Sequence, residues 1–309
     1  MSQRSTNTSV RHVRVPSDRA GQRLDNFLRG CLEGIPRSAI YRLVRTGQVR
    51  VNGGRAKPMK KLAAGDEVRL PPVTTQPSGT RPIPDDWIAR IRNRIIEQNK
   101  DFVIIDKPSG LAIHGGSGLS FGLMDIVERI DSAWRPVHRL DRPTSGVLML
   151  ARHHQALVKL QRDFAERRVE KRYLALLHGA LADDVMTVDQ PLKKIRDGSG
   201  QHRVIVAEDG QRAVSHFVVL ERLPGYTYVE VRIETGRTHQ IRAHAVALGH
   251  PLAGDERYAS DKAPEGLKRL FLHAHFLALP EPDGRVFNAP LPTELAEVLA
   301  ALRVRSESR

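Results

Sequence analysis

The chain has 309 residues, enough for about two domains that each bury their own core. Its 49 Lys and Arg against 35 Asp and Glu give a formal charge of +14, an excess that gathers polyanions around the molecule and puts nucleic acid first among partners. A single cysteine, Cys31, excludes an internal disulfide and a thiolate metal site, and no apolar run approaches the roughly 18 residues of a membrane helix, so a soluble cytoplasmic protein is expected.

Residues 1–10 are polar, lack the apolar core of a signal peptide, and read as a disordered tail. From Gln22 to Leu32 the apolar residues Leu24, Phe27, Leu28, Cys31 and Leu32 recur at helical spacing, which makes an amphipathic helix with Cys31 in its core face. A second short helix follows Pro36. It sets Ile40, Leu43 and Val44 inward, while Arg37, Tyr41 and Arg45 line up outward. Gln48 to Val51, the turn Asn52-Gly53-Gly54 and the run Glu67 to Leu70 read as short hairpin strands. Between residues 11 and 72 stand fourteen Lys or Arg and five Asp or Glu, so nine of the fourteen net charges occupy about a fifth of the chain. Charge this localised marks a nucleic-acid contact surface, with Arg37, Arg42 and Arg45 as its candidate residues.

The prolines from Pro71 to Pro84, set among Thr, Ser and Gly, predict a semi-rigid linker over 73–90 and a second domain over 91–309. In that domain the strand-like runs are Phe102 to Ile105, Gly146 to Leu150, Tyr173 to Leu177, Ser215 to Leu220, Tyr226 to Ile233 and Leu270 to Leu279. Helical segments are fewer: Gln155 to Arg167, Thr238 to Leu248 and Glu294 to Leu302. Clustered strands with sparse helices predict an α+β domain on mainly antiparallel sheet.

Four constellations could carry chemistry. Gly118-Leu119-Ser120-Phe121-Gly122 fits a hydrolase G-x-S-x-G pattern, yet no strand precedes it, so a glycine-rich loop is the better reading. The thirteen histidines form no recognisable metal-ligand set, and no metal is expected. His138-Arg139-Leu140-Asp141-Arg142-Pro143-Thr144-Ser145-Gly146 is the third. Pro143 and the turn residues after it hold Asp141 on a constrained loop, and Arg139 and Arg142 favour its anion, the form a nucleophile or base needs. Residue type alone favours a structural arginine–carboxylate pair at a sheet edge. The fourth is Thr235-Gly236-Arg237-Thr238-His239-Gln240, which puts Arg237 at a helix start, able to pair with a carboxylate or phosphate or simply to sit on a capping turn.

Taken in order, HRLDRPTSG, KRYLALLHG, TGRTHQIRAHAVALGHPLAGDERY and RLFLHAHFLAL resemble the motifs of the RluA family of pseudouridine synthases from about Arg94 to Leu302, and the basic module resembles an S4 RNA-binding domain. Residues 107–122 and 34–53 are most similar to the RluC type, whose members act on 23S ribosomal RNA. The resemblance implies a pseudouridine synthase fold and isomerisation of uridine to pseudouridine without cofactor or metal. It implies Asp141 as the catalytic carboxylate, held ionised by Arg237, with Tyr173 stacking on the uracil and Leu272 as an apolar wall. A uridine in folded RNA must be flipped out, which costs a few kcal/mol, and Arg139, with His138 beside it, is expected to fill the gap. The expected partner is 23S ribosomal RNA or a large-subunit assembly intermediate, with neither DNA nor membrane, and the chain is read as a monomer. The competing readings are a non-catalytic RNA-binding or ribosome assembly factor, a synthase acting on another RNA such as tRNA, and a nucleoside glycosylase that releases free base.

Overall fold

In the computed structural model the chain divides into two compact units, residues 1–83 and 84–309. The structure describes residues 6–7, 9–32, 35, 37–74, 83–115, 121–196, 202–259 and 262–307. Residues 1–5 of the expected tail, most of the proline-rich linker and Gly118 to Ser120 of the hydrolase-like loop lie outside these, as does the side chain of Arg37.

The N-terminal unit begins with β1 (Thr6–Asn7) and β2 (Arg11–Arg14), followed by α1 (Leu24–Cys31) and α2 (Arg37–Arg45), then β3 (Arg50–Val51), β4 (Glu67–Leu70) and β5 (Val73–Thr74). Strands β2, β4 and β3 form an antiparallel sheet, and β1 pairs with β5, so residues expected in the tail and in the linker are tied to each other. The helical stripe works as its spacing predicts: Leu24, Phe27 and Leu28 pack with Ile40, Val44, Val49 and Val68 in one core. Tyr41 does not join the outward basic face. Its hydroxyl donates to the buried Asp25 carboxylate at 2.7 Å, a group that Arg23 also binds, because a buried anion needs its hydrogen bonds supplied from within the fold. Arg42 and Arg45 are exposed on the opposite side of α2.

The second unit opens inside the expected linker with α3 (Asp85–Arg92). Ile91 is buried and Asp86 pairs with Arg90 one turn on, so a short amphipathic helix forms as soon as the prolines end. Next come β6 (Ile95–Gln98), β7 (Phe102–Lys107), α4 (Leu123–Ile130), β8 (Arg135–Pro136), β9 (Ser145–Ala151) and α5 (His154–Ala165). Strands β10 (Glu170–His178), β11 (Val185–Asp189), β12 (Leu192–Arg196), β13 (His202–Val206), β14 (Val214–Leu223) and β15 (Tyr226–Ile233) lead to α6 (Gln240–Ala247), β16 (Leu272–Ala278), β17 (Val286–Asn288) and α7 (Thr293–Glu307). Ten strands make one sheet along the order β11-β14-β15-β10-β16-β9-β7-β6, with β17 beside β16 and β8 beside β9. Among the described residues only β9 and β16 pair in parallel, so the sheet is mixed and mainly antiparallel, as predicted. Strands β12 and β13 form a separate hairpin.

Strand β9 is buried along its whole length, which is why it reads as a continuous apolar run rather than an alternating one. Helix α5 covers it with Ala156 and Leu160, while α7 sets Leu295, Val298, Leu299 and Leu302 against Leu176 and Phe271. At the start of β9, Gly146 has φ +114°, and a Cβ there would lie 2.1 Å from the carbonyl oxygen of Ala274 on β16. Only glycine lets the two strands approach so closely. This crossing sets the loop that ends in Gly146 on top of the central strands, and Asp141 lies on that loop.

Candidate active site

The Asp141 loop is clamped through its backbone. The buried Lys107 Nζ donates to the carbonyls of Leu111 at 2.8 Å, Pro108 at 2.9 Å and Arg142 at 3.4 Å. Ser109 Oγ donates to the Pro143 carbonyl, and Arg269 reaches that same carbonyl and the Ser145 hydroxyl. Thr144 N closes a turn on the Asp141 carbonyl at 3.1 Å, and buried Leu140 anchors the preceding residue. So many partners to one short loop fix where the carboxylate stands.

Two cavities meet there. A pocket of about 70 Å³ is walled by Tyr173, Leu272, Ile233 and Thr144. Beside it runs a groove of about 1310 Å³ that reaches Ser109, His114, Glu256 and Lys268. Arg139, Leu140, Asp141, His239 and Arg242 line both, so the carboxylate stands at the junction of a small chamber and a long cleft. Asp141 is the one acidic residue lining the small pocket among the described residues. Tyr173 is buried, and burial together with the charge of Asp141 raises its phenol above the ordinary range, so it stays protonated. Leu272, also buried, faces the same space.

The cations around Asp141 are not the expected ones. Arg142 turns away, its Nε donating to the Gly110 carbonyl at 3.1 Å, and Arg139 is exposed at the pocket mouth. Arg237 lines the pocket but makes no ion pair with Asp141 among the described residues; its Nε donates to the Arg212 carbonyl at 3.1 Å. The reason is local. Helix α6 starts at Gln240, two residues later than predicted, after His239 in a left-handed turn at φ +52°, and Gln240 Oε1 accepts the Arg237 amide. That turn leaves Arg237 on the rim.

Arg242, one helical turn further in, occupies the interior. Its guanidinium binds Asp255 through two hydrogen bonds of 2.7 and 2.6 Å, both side chains being almost fully buried. Burial opposes its charge, but the Asp255 bonds and the charges of Asp255 and Asp141 outweigh that and keep it a cation. Burial pushes Lys107 down to about 7, with Asp141 opposing the fall. Lys107 and Arg242 are thus buried cationic side chains whose charged forms Asp141 favours.

His138 is held in place by the fold. Its Nε2 accepts from the Met149 amide at 3.1 Å, its ring stacks on Phe164 at 4.7 Å, and burial, reinforced by nearby Lys171, pushes it to about 3. It lines the groove as a fixed neutral wall, while the exposed side chain beside it is Arg139.

Sequence reasoning does not single out Lys107, His239, Arg242, Asp255 or Tyr258 as site residues. For Arg242 a signal is present: an arginine inside the run Gln240 to Ala245, every residue of which is buried, belongs to an interior ion pair. Among the described residues no group of three or more His, Cys, Asp or Glu is placed to hold a metal, and no helix is long and apolar enough to cross a membrane.

Residues 101–247 match the RNA pseudouridylate synthase family, and residues 22–68 match the S4 domain. The chain is 40% identical to the ribosomal large subunit pseudouridine synthase C of Pasteurella multocida, over 98% of this chain and 97% of that one. It is 42% identical to the Escherichia coli protein of the same name, over 96% and 97%. Among solved structures it is similar to human RNA pseudouridylate synthase domain containing 4, at a TM-score of 0.60 and 26% identity, over 71% of this chain and 96% of that one. With two such relatives matched along nearly their whole length, this chain belongs to the RNA pseudouridylate synthase family.

Proposed function

We propose that the chain converts uridines of large-subunit ribosomal RNA, the 23S molecule, to pseudouridine, with Asp141 as the group that acts on the sugar. The observation that carries this is that Asp141 is the one carboxylate lining the small chamber among the described residues, at its junction with a long cleft. A hydrolytic glycosidase uses two acids, because it must protonate a leaving group and activate a water. An isomerase releases nothing. The C–N glycosidic bond breaks, the uracil turns in place, and a C–C bond forms to the same sugar, so one carboxylate suffices, whether it attacks the sugar or removes a proton from it.

Tyr173 and Leu272 are suited to sandwich the flipped base, with the protonated phenol of Tyr173 available as a donor at the ring. Arg139, exposed at the mouth, is the side chain able to fill the space the uridine leaves. Arg42 and Arg45, on a helix that begins at Arg37, supply sequence-independent attraction to phosphates from the S4 unit. We read the protein as a cytoplasmic monomer that acts on RNA and not DNA.

The test is to incubate pure protein with ribosomal RNA, and separately with tRNA, and to map pseudouridine along each. Modification at discrete large-subunit positions supports the proposal. Modification of tRNA alone moves the substrate, and none in either favours a binding or assembly factor.

A further inference from the structure

Two groups have no part in the chemistry described above: the imidazole of His239, beside Asp141, and the phenol of Tyr258 behind that imidazole. His239 holds a left-handed backbone at φ +52°, a conformation that costs a non-glycine residue energy and that Asn or Gly would adopt more readily. Its Nε2 lies 3.9 Å from Asp141 Oδ2, and its Nδ1 lies 3.0 Å from Tyr258 Oη. Tyr258 is buried and carries two guanidinium groups over its ring, Arg242 at 4.8 Å and Arg203 at 5.0 Å, so the phenol is firmly seated.

The hydrogen count favours one direction for these bonds: the phenol oxygen could accept twice, but its own hydrogen would then have no partner among the hydrogen bonds of the described residues. The Val204 amide of β13 donates to Tyr258 Oη at 2.8 Å, since a backbone N–H can only donate. The single phenolic hydrogen is then free for His239 Nδ1, the other partner within reach. An Nδ1 that accepts carries no proton, so a neutral imidazole must carry it on Nε2, the nitrogen turned toward Asp141. Burial holds the ring neutral, with a pKa of about 4; the charge of Asp141 opposes this and Arg242 and Arg257 assist it.

We propose that His239 is a positioning residue for Asp141, its Nε2–H held toward the carboxylate by the Tyr258 hydroxyl and, through it, by the Val204 amide. At 3.9 Å the contact is longer than a hydrogen bond, and contacts of this kind shorten when substrate closes a site. The donor orients one carboxylate oxygen and leaves the other to face the sugar. This inference rests on the proposed role of Asp141.

The test begins on the unmodified protein, with nitrogen NMR of labelled histidines near neutral pH. His239 should show a bare, pyridine-like Nδ1 and a protonated, pyrrole-like Nε2, and Tyr258→Phe should abolish that bias. Observing Nδ1 protonated in the wild type overturns the proposal. In kinetics, His239→Asn keeps a residue that tolerates the left-handed backbone, but its amide ends at the level of Nδ1 and places no N–H where Nε2 stands. We expect kcat to fall about tenfold to a hundredfold with KM for RNA unchanged, the loss expected from a small misplacement of a reacting group. Tyr258→Phe should give a smaller loss of the same kind. A wild-type kcat in His239→Asn, or a rise in KM with kcat intact, contradicts the proposal. If Asp141→Asn is inert while His239→Asn matches the wild type, only this inference fails; if Asp141→Asn still turns over, the reading of Asp141 fails first.

Discussion

The two units use positive charge in opposite ways. In the N-terminal unit the basic side chains Arg14, Arg29, Arg42, Arg45 and Lys57 are all exposed, while the buried anion Asp25 is satisfied within the fold. In the second unit Lys107, Lys171 and Arg242 are buried, and the Lys107 and Lys171 ammonium groups are pushed by burial to about 7 and about 8. Exposed charge is strongly screened by salt and suits attraction to a phosphate backbone whose sequence does not matter. Buried charge is costly to place but acts at full strength on the few groups around it, which suits holding one carboxylate ready. The contrast therefore separates residues that govern affinity from residues that govern turnover.

The largest effect belongs to Asp141→Asn, which keeps the shape of the loop and removes the anion. We expect pseudouridine formation to vanish with RNA affinity little changed, measured as turnover and filter binding on the same RNA. Arg242→Met comes next. It strands the Asp255 carboxylate, about 1% exposed, and should cost on the order of 3–5 kcal/mol in denaturant unfolding as well as activity. Arg237→Met, on the rim, should leave stability within about 0.5 kcal/mol and lower turnover far less. Equal effects of the two substitutions would erase the distinction between interior and rim.

Charge displayed on the surface predicts smaller, salt-linked changes. Replacing Arg42 and Arg45 together by Ala should weaken RNA binding and reduce the log–log salt slope by roughly 0.7 to 0.9 for each phosphate left without its arginine, with kcat at saturating RNA unchanged. A separate effect, on stability and not on turnover, appears at acid pH. His138, His239 and His273 sit at about 3, 4 and 4, below the ordinary value of 6.5, because burial disfavours their charged form. The unfolded chain therefore binds more protons than the folded one at low pH, so this contribution is complete above about pH 6.5 and drains away as pH falls toward 4. The N-terminal unit buries no histidine, His12 being exposed, so the loss should fall on residues 84–309 in hydrogen exchange. A midpoint that stays flat over that range, or exchange that rises first in the S4 unit, would reverse the assignment.

Elements that bury a regular stripe could be read directly: Leu24, Phe27 and Leu28 announce α1, and the unbroken apolar β9 announces a central strand. Elements without such a stripe could not. Strand β12 is Leu-Lys-Lys-Ile-Arg and buries only Leu192, and α3 is hidden behind prolines. Helix α4 does carry Leu123, Ile126 and Val127 inward, but it is short and follows the glycine-rich loop. At the site, Asp141 came forward through the ordered motifs around it, because the proline, turn residues and arginines beside it by themselves favoured a structural ion pair. The charges that surround it were not, since Lys107 lies 34 residues before it and Arg242 more than 100 after. Of its neighbours in sequence, Arg142 donates to the Gly110 carbonyl instead, and Arg139 stands exposed at the mouth of the pocket.

The most direct measurement of the central claim, that one carboxylate is enough because the base never leaves, is a single-turnover reaction on uridine-labelled ribosomal RNA with both RNA nucleosides and released uracil analysed. The account predicts pseudouridine retained in the RNA, no free uracil, and neither product with Asp141→Asn. Free uracil with abasic sites in the RNA, or pseudouridine formed by Asp141→Asn, would contradict it.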